Sequence, residues 1–78
     1  MNIGRLKWRS KRSMLELDLY FDAFIQENGL DNLSIDELNV YENLLKFEDS
    51  DLLLLFQGKE VMDDKSTQQL INKICKRV

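Results

Sequence analysis

Proline is absent from this chain of 78 residues, and its three glycines, Gly4, Gly29 and Gly58, are widely spaced. Because proline and then glycine are the residues that most disfavour a helix interior, long stretches of the chain are free to be helical. No alternating run of apolar and polar residues shows the period that a half-buried strand requires. These features predict an all-α fold.

Apolar spacing and capping residues predict a short first helix from Gly4 to Arg12 and a second that begins near Ser13. The second carries an apolar stripe at i, i+3 and i+4. It should end at Asn28 and Gly29, because glycine readily adopts the left-handed conformation that closes many helices.

The third helix has a clear start, since Ser34 and Glu37 match a capping box in which each side chain accepts from the other residue's amide. A fourth helix follows Asp49, whose carboxylate is expected to cap it, and ends at Gly58. Its segment from Leu52 to Phe56 is apolar on every side, which indicates a helix in the middle of a bundle.

The last helix should begin between Asp63 and Ser66. We therefore expect residues 1–78 to form one domain, a small five-helix bundle. The expected core consists of Met14, Leu17, Tyr20, Phe21, Phe24, Ile25, Leu38, Tyr41, Leu44, Leu45, Leu70, Ile71, Ile74, Cys75 and Val78.

The charge is divided unevenly along the chain. The first fifteen residues hold five basic side chains and no acid, whereas the other 63 hold six basic and fourteen acidic ones. The basic end should attract an acidic surface or phosphate, and the remainder should repel nucleic acid.

Within the basic segment, helical spacing places Arg5, Trp8, Arg9 and Arg12 along one face. Tryptophan and arginine dominate binding hot spots, so we interpret this face as a recognition surface. The alternative is that Trp8 packs on the core and the charges are simply solvated.

Several classes of function are disfavoured by what the sequence lacks. It has no histidine and a single cysteine, Cys75, so it can form neither an internal disulfide nor a cysteine metal cluster. It has no glycine-rich phosphate loop and no nucleophile paired with a histidine. Its longest apolar run has five residues, well short of the ~20 of a membrane helix. We expect a cytoplasmic, metal-free protein that is not an enzyme.

The segment Arg12-Ser13-Met14-Leu15-Glu16-Leu17-Asp18 resembles the Arg-Gly-x-x-Glu-Leu-Asp signature of the small succinate dehydrogenase assembly factors. These proteins promote covalent attachment of FAD to the flavoprotein subunit of the dehydrogenase. Comparable features elsewhere in the chain are Arg5, Trp8, the helix start Leu33-Ser34-x-x-Glu37, and Asp49-x-Asp51-Leu52.

The resemblance implies a five-helix bundle with the motif on the surface where the first two helices meet. It implies that this chain, acting as a monomer, chaperones flavinylation of the flavoprotein subunit of succinate dehydrogenase. The same role would extend to fumarate reductase. FAD would be held by the partner, not by this chain. The implied partner contacts are Arg5, Trp8, Arg12, Ser13, Glu16 and Asp18, with Arg12 and Glu16 as the central pair.

Ser13 departs from the family pattern, which has glycine at this position. Glycine allows close approach by another backbone, and a serine side chain could reduce that fit. Alternatively, Ser13 and Glu16 form a capping box for the second helix, and Glu16 is then a structural cap.

Two other functions remain open on the sequence. One is a small helical nucleic-acid-binding or antitoxin-type regulator whose basic first helix contacts phosphate, although no other helix is basic. The other is a structural interaction module for an acidic protein.

Overall fold

The structure, a computed structural model, describes residues 3–12 and 14–75. This part of the chain forms five α-helices and one 3₁₀ turn, without strands, which confirms the predicted all-α bundle. The predictions for Ser13 and Val78 fall outside the described residues. The elements are α1 (Ile3–Arg9), α2 (Leu15–Gln26), the 3₁₀ turn (Leu30–Asn32), α3 (Ile35–Leu44), α4 (Asp49–Phe56) and α5 (Lys65–Ile74).

A single core joins the five helices. At its centre, the Phe21 ring stands edge-on to Tyr41 and Phe56, with centroid distances of 6.0 and 5.3 Å. The core prediction is confirmed, with ten residues buried and Met14, Tyr20, Ile25 and Cys75 half-buried at its edge. The ten buried residues are Leu17, Phe21, Phe24, Leu38, Tyr41, Leu44, Leu45, Leu70, Ile71 and Ile74.

The predicted capping box at the start of α3 is confirmed. The Glu37 amide donates to Ser34 Oγ at 3.1 Å, and the Ser34 amide donates to Glu37 Oε1 at 3.2 Å. The other Glu37 oxygen pairs with Lys73 of α5. The hydrogen bond from Lys73, followed by that from the Ser34 backbone, lowers the pKa of Glu37. One carboxylate therefore starts α3 and also joins it to α5.

The end of α2 differs from the prediction in one residue. Asn28, with φ of 60°, is the left-handed residue, and Gly29 has a right-handed helical φ of −57°. The amide of Gly29 donates to the Phe24 carbonyl at 2.9 Å, and that of Asn28 to the Ile25 carbonyl at 3.0 Å. This is the two-bond closure of a Schellman motif. Placing Gly29 in the left-handed conformation was therefore wrong.

Helix α4 also starts differently from the prediction. Asp49 was expected to cap it, but Asp49 is its first residue and Glu48 precedes it without a side-chain capping bond. The Asp49 carboxylate instead accepts from Arg12, across the fold. The end at Gly58 is confirmed, since its φ is 78°.

Helix α5 follows Asp64, whose carboxylate accepts from the Thr67 amide at 3.1 Å, within the predicted start. Among the described helices, none is long and apolar enough to cross a membrane.

Candidate protein interface

Helix α1 ends three residues earlier than predicted, because the chain turns inward after Arg9. Ser10 is buried, and its hydroxyl group hydrogen-bonds both the Leu6 carbonyl and the Tyr41 hydroxyl. Burial raises the pKa of Tyr41 to about 12, against smaller opposing effects of Ser10 and Arg12. The pair thus fixes the end of α1 on α3.

The inward turn takes Arg12 away from the face that carries Trp8. The Arg12 side chain is only 15% exposed; one terminal nitrogen lies 3.3 Å from Asp49 Oδ1, and the other donates to the Leu45 carbonyl at 2.5 Å. Its guanidinium carbon lies 5.9 Å from the centroid of the Phe21 ring. The expected single face of Arg5, Trp8, Arg9 and Arg12 is therefore not formed.

Asp18 completes this arrangement from α2. Its Oδ1 accepts from the Arg12 backbone amide at 3.3 Å. The connection between α1 and α2 is thus held at Arg12 by its amide and by its guanidinium group. Two of the predicted contact residues, Arg12 and Asp18, are half-buried and form a brace that joins the first two helices.

Other predicted contact residues lie on the surface. Trp8 is 73% exposed, so the alternative in which it packs on the core is wrong. Arg5 and Glu16 are also exposed, and Glu16 accepts from the Gln57 side-chain amide at 3.3 Å. Tryptophan is one of the residue types enriched in binding hot spots, so an exposed position is the one that the recognition hypothesis requires.

Glu16 does not have a described capping role. The residue that precedes α2 is Met14, and no side-chain capping bond is made there. Ser13, the other half of the proposed capping box, lies outside the described residues. The described hydrogen-bond partner of Glu16 is Gln57, the residue that follows α4, and not an amide in the first turn of α2.

Leu15 and Leu19 were missed by the sequence reasoning. They are 71% and 60% exposed, next to Glu16 on α2. Leu15, Leu19 and Ala23 recur at i, i+4 and i+8, a spacing that marks one helix face. Because this face lies away from the buried stripe of α2, the same periodicity that predicted the core also contained the signal for them.

Two surface depressions include residues of α2. The larger, of about 410 Å³, lies between α2 and the end of α5 and is mostly apolar. The smaller, of about 250 Å³, contains the charged residues Lys7, Lys11, Asp18 and Asp22. No group of side chains within residues 3–12 and 14–75 could hold a metal ion. The surface around α2 therefore has an apolar part and a charged part.

Comparison with known proteins agrees with this geometry. The family model described as "Flavinator of succinate dehydrogenase" matches residues 4–78. No solved structure gives a significant match.

Proteins named FAD assembly factor SdhE are similar over most or all of the chain. The protein from Colwellia psychrerythraea is 40% identical over 78 residues, which is all of this chain and 85% of the relative. The protein from Shewanella oneidensis is 35% identical over 74 residues, covering 95% and 89% of the two chains. That from Legionella pneumophila strain Lens is 41% identical over 57 residues, covering 73% and 71%.

Proposed function

The chain belongs to the family of succinate dehydrogenase flavinators, and we propose that it binds the flavoprotein subunit of succinate dehydrogenase and promotes covalent attachment of FAD. The observation that carries the proposal is the family match over residues 4–78, which includes every described helix except for Ile3, the first residue of α1. Action on fumarate reductase and a cytoplasmic location are further parts of the proposal. The relatives' shared name, FAD assembly factor, supports an assembly role without enzymatic activity.

The proposed docking surface divides into contacts and support. Trp8, Arg5 and Glu16 are exposed and would touch the flavoprotein. Arg12 and Asp18 would act mainly by holding the connection between α1 and α2 in shape, since their bonds run into the fold. Ser13 is proposed as a contact from its place in the motif.

The proposed mechanism is positioning. The chain has no histidine and no glycine-rich phosphate loop, so the partner would supply both the residue that attaches to the flavin and the FAD site. Binding of this chain would favour the conformation in which the partner's histidine and the flavin methyl group are aligned. The contribution is binding energy that shifts a population and reduces the entropy cost of alignment.

The direct test is flavinylation of the flavoprotein subunit with and without this chain, followed as covalent flavin fluorescence in denaturing gels. We expect faster attachment in its presence. The Trp8→Ala variant should lose at least about tenfold in this effect, because a hot-spot tryptophan contributes about 2 kcal/mol or more. Equal flavin incorporation with and without the chain would refute the proposed function.

Val61→Ala is the matched control for Trp8→Ala. Val61 is also an apolar side chain with 73% exposure, but it lies in the connection before α5, outside the docking surface. We expect this variant to support flavinylation as well as the parent does. Circular dichroism spectra of both variants should match the parent, because neither side chain is part of the core.

A further inference from the structure

Helix α2 carries an apolar face that the bundle leaves uncovered. Its members Leu15, Leu19 and Ala23 are all exposed, although the opposite face of the same helix supplies Leu17, Phe21 and Phe24 to the core. Uncovered apolar side chains in a row, unlike single ones, are characteristic of interaction sites. The packing of the bundle therefore leaves this row of side chains uncovered.

Two members of this face, Leu19 and Ala23, line the depression between α2 and the end of α5, here called the α2–α5 groove. Its residues on α2 are at i, i+3, i+4 and i+7, and the other wall is the end of α5. The groove has a volume of about 410 Å³ and is lined by Glu16, Leu19, Tyr20, Ala23, Ile74 and Cys75. Because Ile74 is buried and Tyr20 packs edge-on against Phe56 at 5.3 Å, these parts of the walls are anchored in the core.

Three residues of the lining carry polar groups, and one of these is the Cys75 thiol, which donates to the Phe56 carbonyl at 3.7 Å. The Glu16 carboxylate accepts from the neutral amide of Gln57 at 3.3 and 3.4 Å, and no cation pairs with it among the described residues. The Tyr20 hydroxyl has no described hydrogen-bond partner. Apolar walls with a few convergent polar groups are typical of sites that bind a side chain or small ligand. An exposed carboxylate that residues 3–12 and 14–75 leave without a cation favours a positively charged group beside the apolar one.

We propose that the α2–α5 groove receives an apolar side chain of the flavoprotein subunit, and that a neighbouring lysine or arginine of that subunit pairs with Glu16. This inference rests on the proposed function and locates a second contact region for the same partner. Glu16 belongs to both regions, so the groove continues the proposed docking surface around α2. A second copy of this chain fits less well, because a twofold contact through the groove would bring two Glu16 carboxylates together.

Cys75 provides a direct probe of the groove, because it is the only cysteine of the chain and lines this site. Its modification by a bulky maleimide is measured by mass spectrometry, alone and with the flavoprotein subunit at saturating concentration. We expect the complex to slow modification at least about tenfold. Free FAD without the flavoprotein, and raised concentrations of this chain alone, should leave the rate unchanged.

Substitutions provide the second measurement. Leu19→Gln should weaken binding of the flavoprotein at least about tenfold, because it removes the burial of a leucine side chain from the interface. Ile35→Gln is the matched control, since Ile35 is 75% exposed at the start of α3, away from the groove, and should bind within about twofold of the parent. Glu16→Gln should weaken binding and reduce its dependence on salt.

The outcomes separate this inference from the proposed function. If the chain accelerates flavinylation but Cys75 stays reactive in the complex and Leu19→Gln binds normally, the groove proposal is wrong and the function stands. If free FAD or self-association protects Cys75, the proposed occupant is wrong. If the flavoprotein neither binds nor is flavinylated faster, the proposed function fails and the groove proposal fails with it.

Discussion

Arg12 joins three parts of the fold through one side chain. Its guanidinium group contacts Asp49 at the start of α4, the Leu45 carbonyl at the end of α3, and the face of Phe21 on α2. A planar guanidinium group presents five donors in a fixed fork and can also stack on an aromatic ring, whereas an ammonium group is a compact charge with three donors. Arg12, which matches the arginine of the family motif, therefore has a structural role in this chain.

Replacing Arg12 by methionine should lower the free energy of unfolding by about 2 kcal/mol. The variant loses a charged hydrogen bond to a carbonyl and leaves a partly buried Asp49 without this cation. Arg12→Lys should lose about 1 kcal/mol, because the charge remains but the fork does not. Urea unfolding followed by circular dichroism measures both values.

Lys11→Met is the matched control for Arg12→Met. Lys11 is the preceding residue, is also basic, and is exposed, so its replacement should change the free energy of unfolding by less than about 0.5 kcal/mol. Equal unfolding midpoints for the parent and Arg12→Met would contradict the brace formed by Arg12.

The role of Arg12 could not be predicted from the sequence because it depends on residues more than thirty positions away. Helical spacing places Arg12 beside Arg9 and Trp8 only if α1 continues to residue 12. The turn that separates Arg12 from Arg9 and Trp8 is at Ser10. This small polar residue is buried with the Tyr41 hydroxyl as its hydrogen-bond partner. Local periodicity contains no information about such a long-range pair.

At the scale of helices, the end of α2 depends on a pair of residues with separate tasks. Asn28 adopts the left-handed conformation, and Gly29 lies under the ring of Phe24. A Cβ atom at Gly29 would come within 2.5 to 2.7 Å of that ring. Glycine is therefore needed at position 29 for space, and a residue that tolerates positive φ is needed at position 28.

This division predicts opposite effects of two substitutions. Gly29→Ala should destabilise the protein by about 1 to 3 kcal/mol, because the added methyl group forces the buried Phe24 ring to move. Asn28→Gly should stabilise it by up to about 1 kcal/mol, because it removes the residual strain of a left-handed side chain. Thermal unfolding of both variants at one concentration measures the two shifts. If Gly29→Ala unfolds at the same temperature as the parent, the close contact with Phe24 does not exist.

Helix starts and ends could be predicted well where their chemistry is local. The capping box of Ser34 and Glu37 and the closure at Gly58 need only residues within one or two turns, and both are confirmed. The predicted start of α4 was wrong because the Asp49 carboxylate accepts a hydrogen bond from Arg12 instead of capping its own helix. The 3₁₀ turn at Leu30–Asn32 follows from the closure of α2 and the burial of Leu30, which no local pattern indicated.

In the molecule as a whole, the basic charges of the N-terminal segment and the exposed apolar side chains Trp8, Leu15 and Leu19 lie on the first two helices and their connection. The basic N-terminal segment was evident from composition, and the structure adds an exposed Trp8 within it. The exposed leucines of α2 lie opposite its core stripe, so helical periodicity marks their face. It does not tell whether another helix covers that face. Which apolar residues remain uncovered is decided by how α5 packs on α2.

The basic segment should act mainly on the rate at which the partner is found. Charges at the rim of an interface steer encounter and are screened by salt, so they affect association more than dissociation. Replacing both Lys7 and Lys11 by glutamine should reduce the association rate constant for the flavoprotein several-fold at low salt and leave the dissociation rate constant within about twofold. Stopped-flow fluorescence of Trp8, the only tryptophan, measures both constants.

The matched control replaces Lys46 and Lys59, which are exposed and belong to the acidic part of the chain. It changes the net charge by the same amount, so an effect of net charge alone would slow association equally in both variants. Steering by the basic segment predicts a larger effect for Lys7 and Lys11, and the difference should disappear near 1 M salt, where the screening length is about 3 Å.

The same stopped-flow series with duplex DNA tests the nucleic-acid alternative. DNA binding as tight as that of the flavoprotein, and with a steep linear loss of log affinity against log salt, would favour phosphate contact over protein docking.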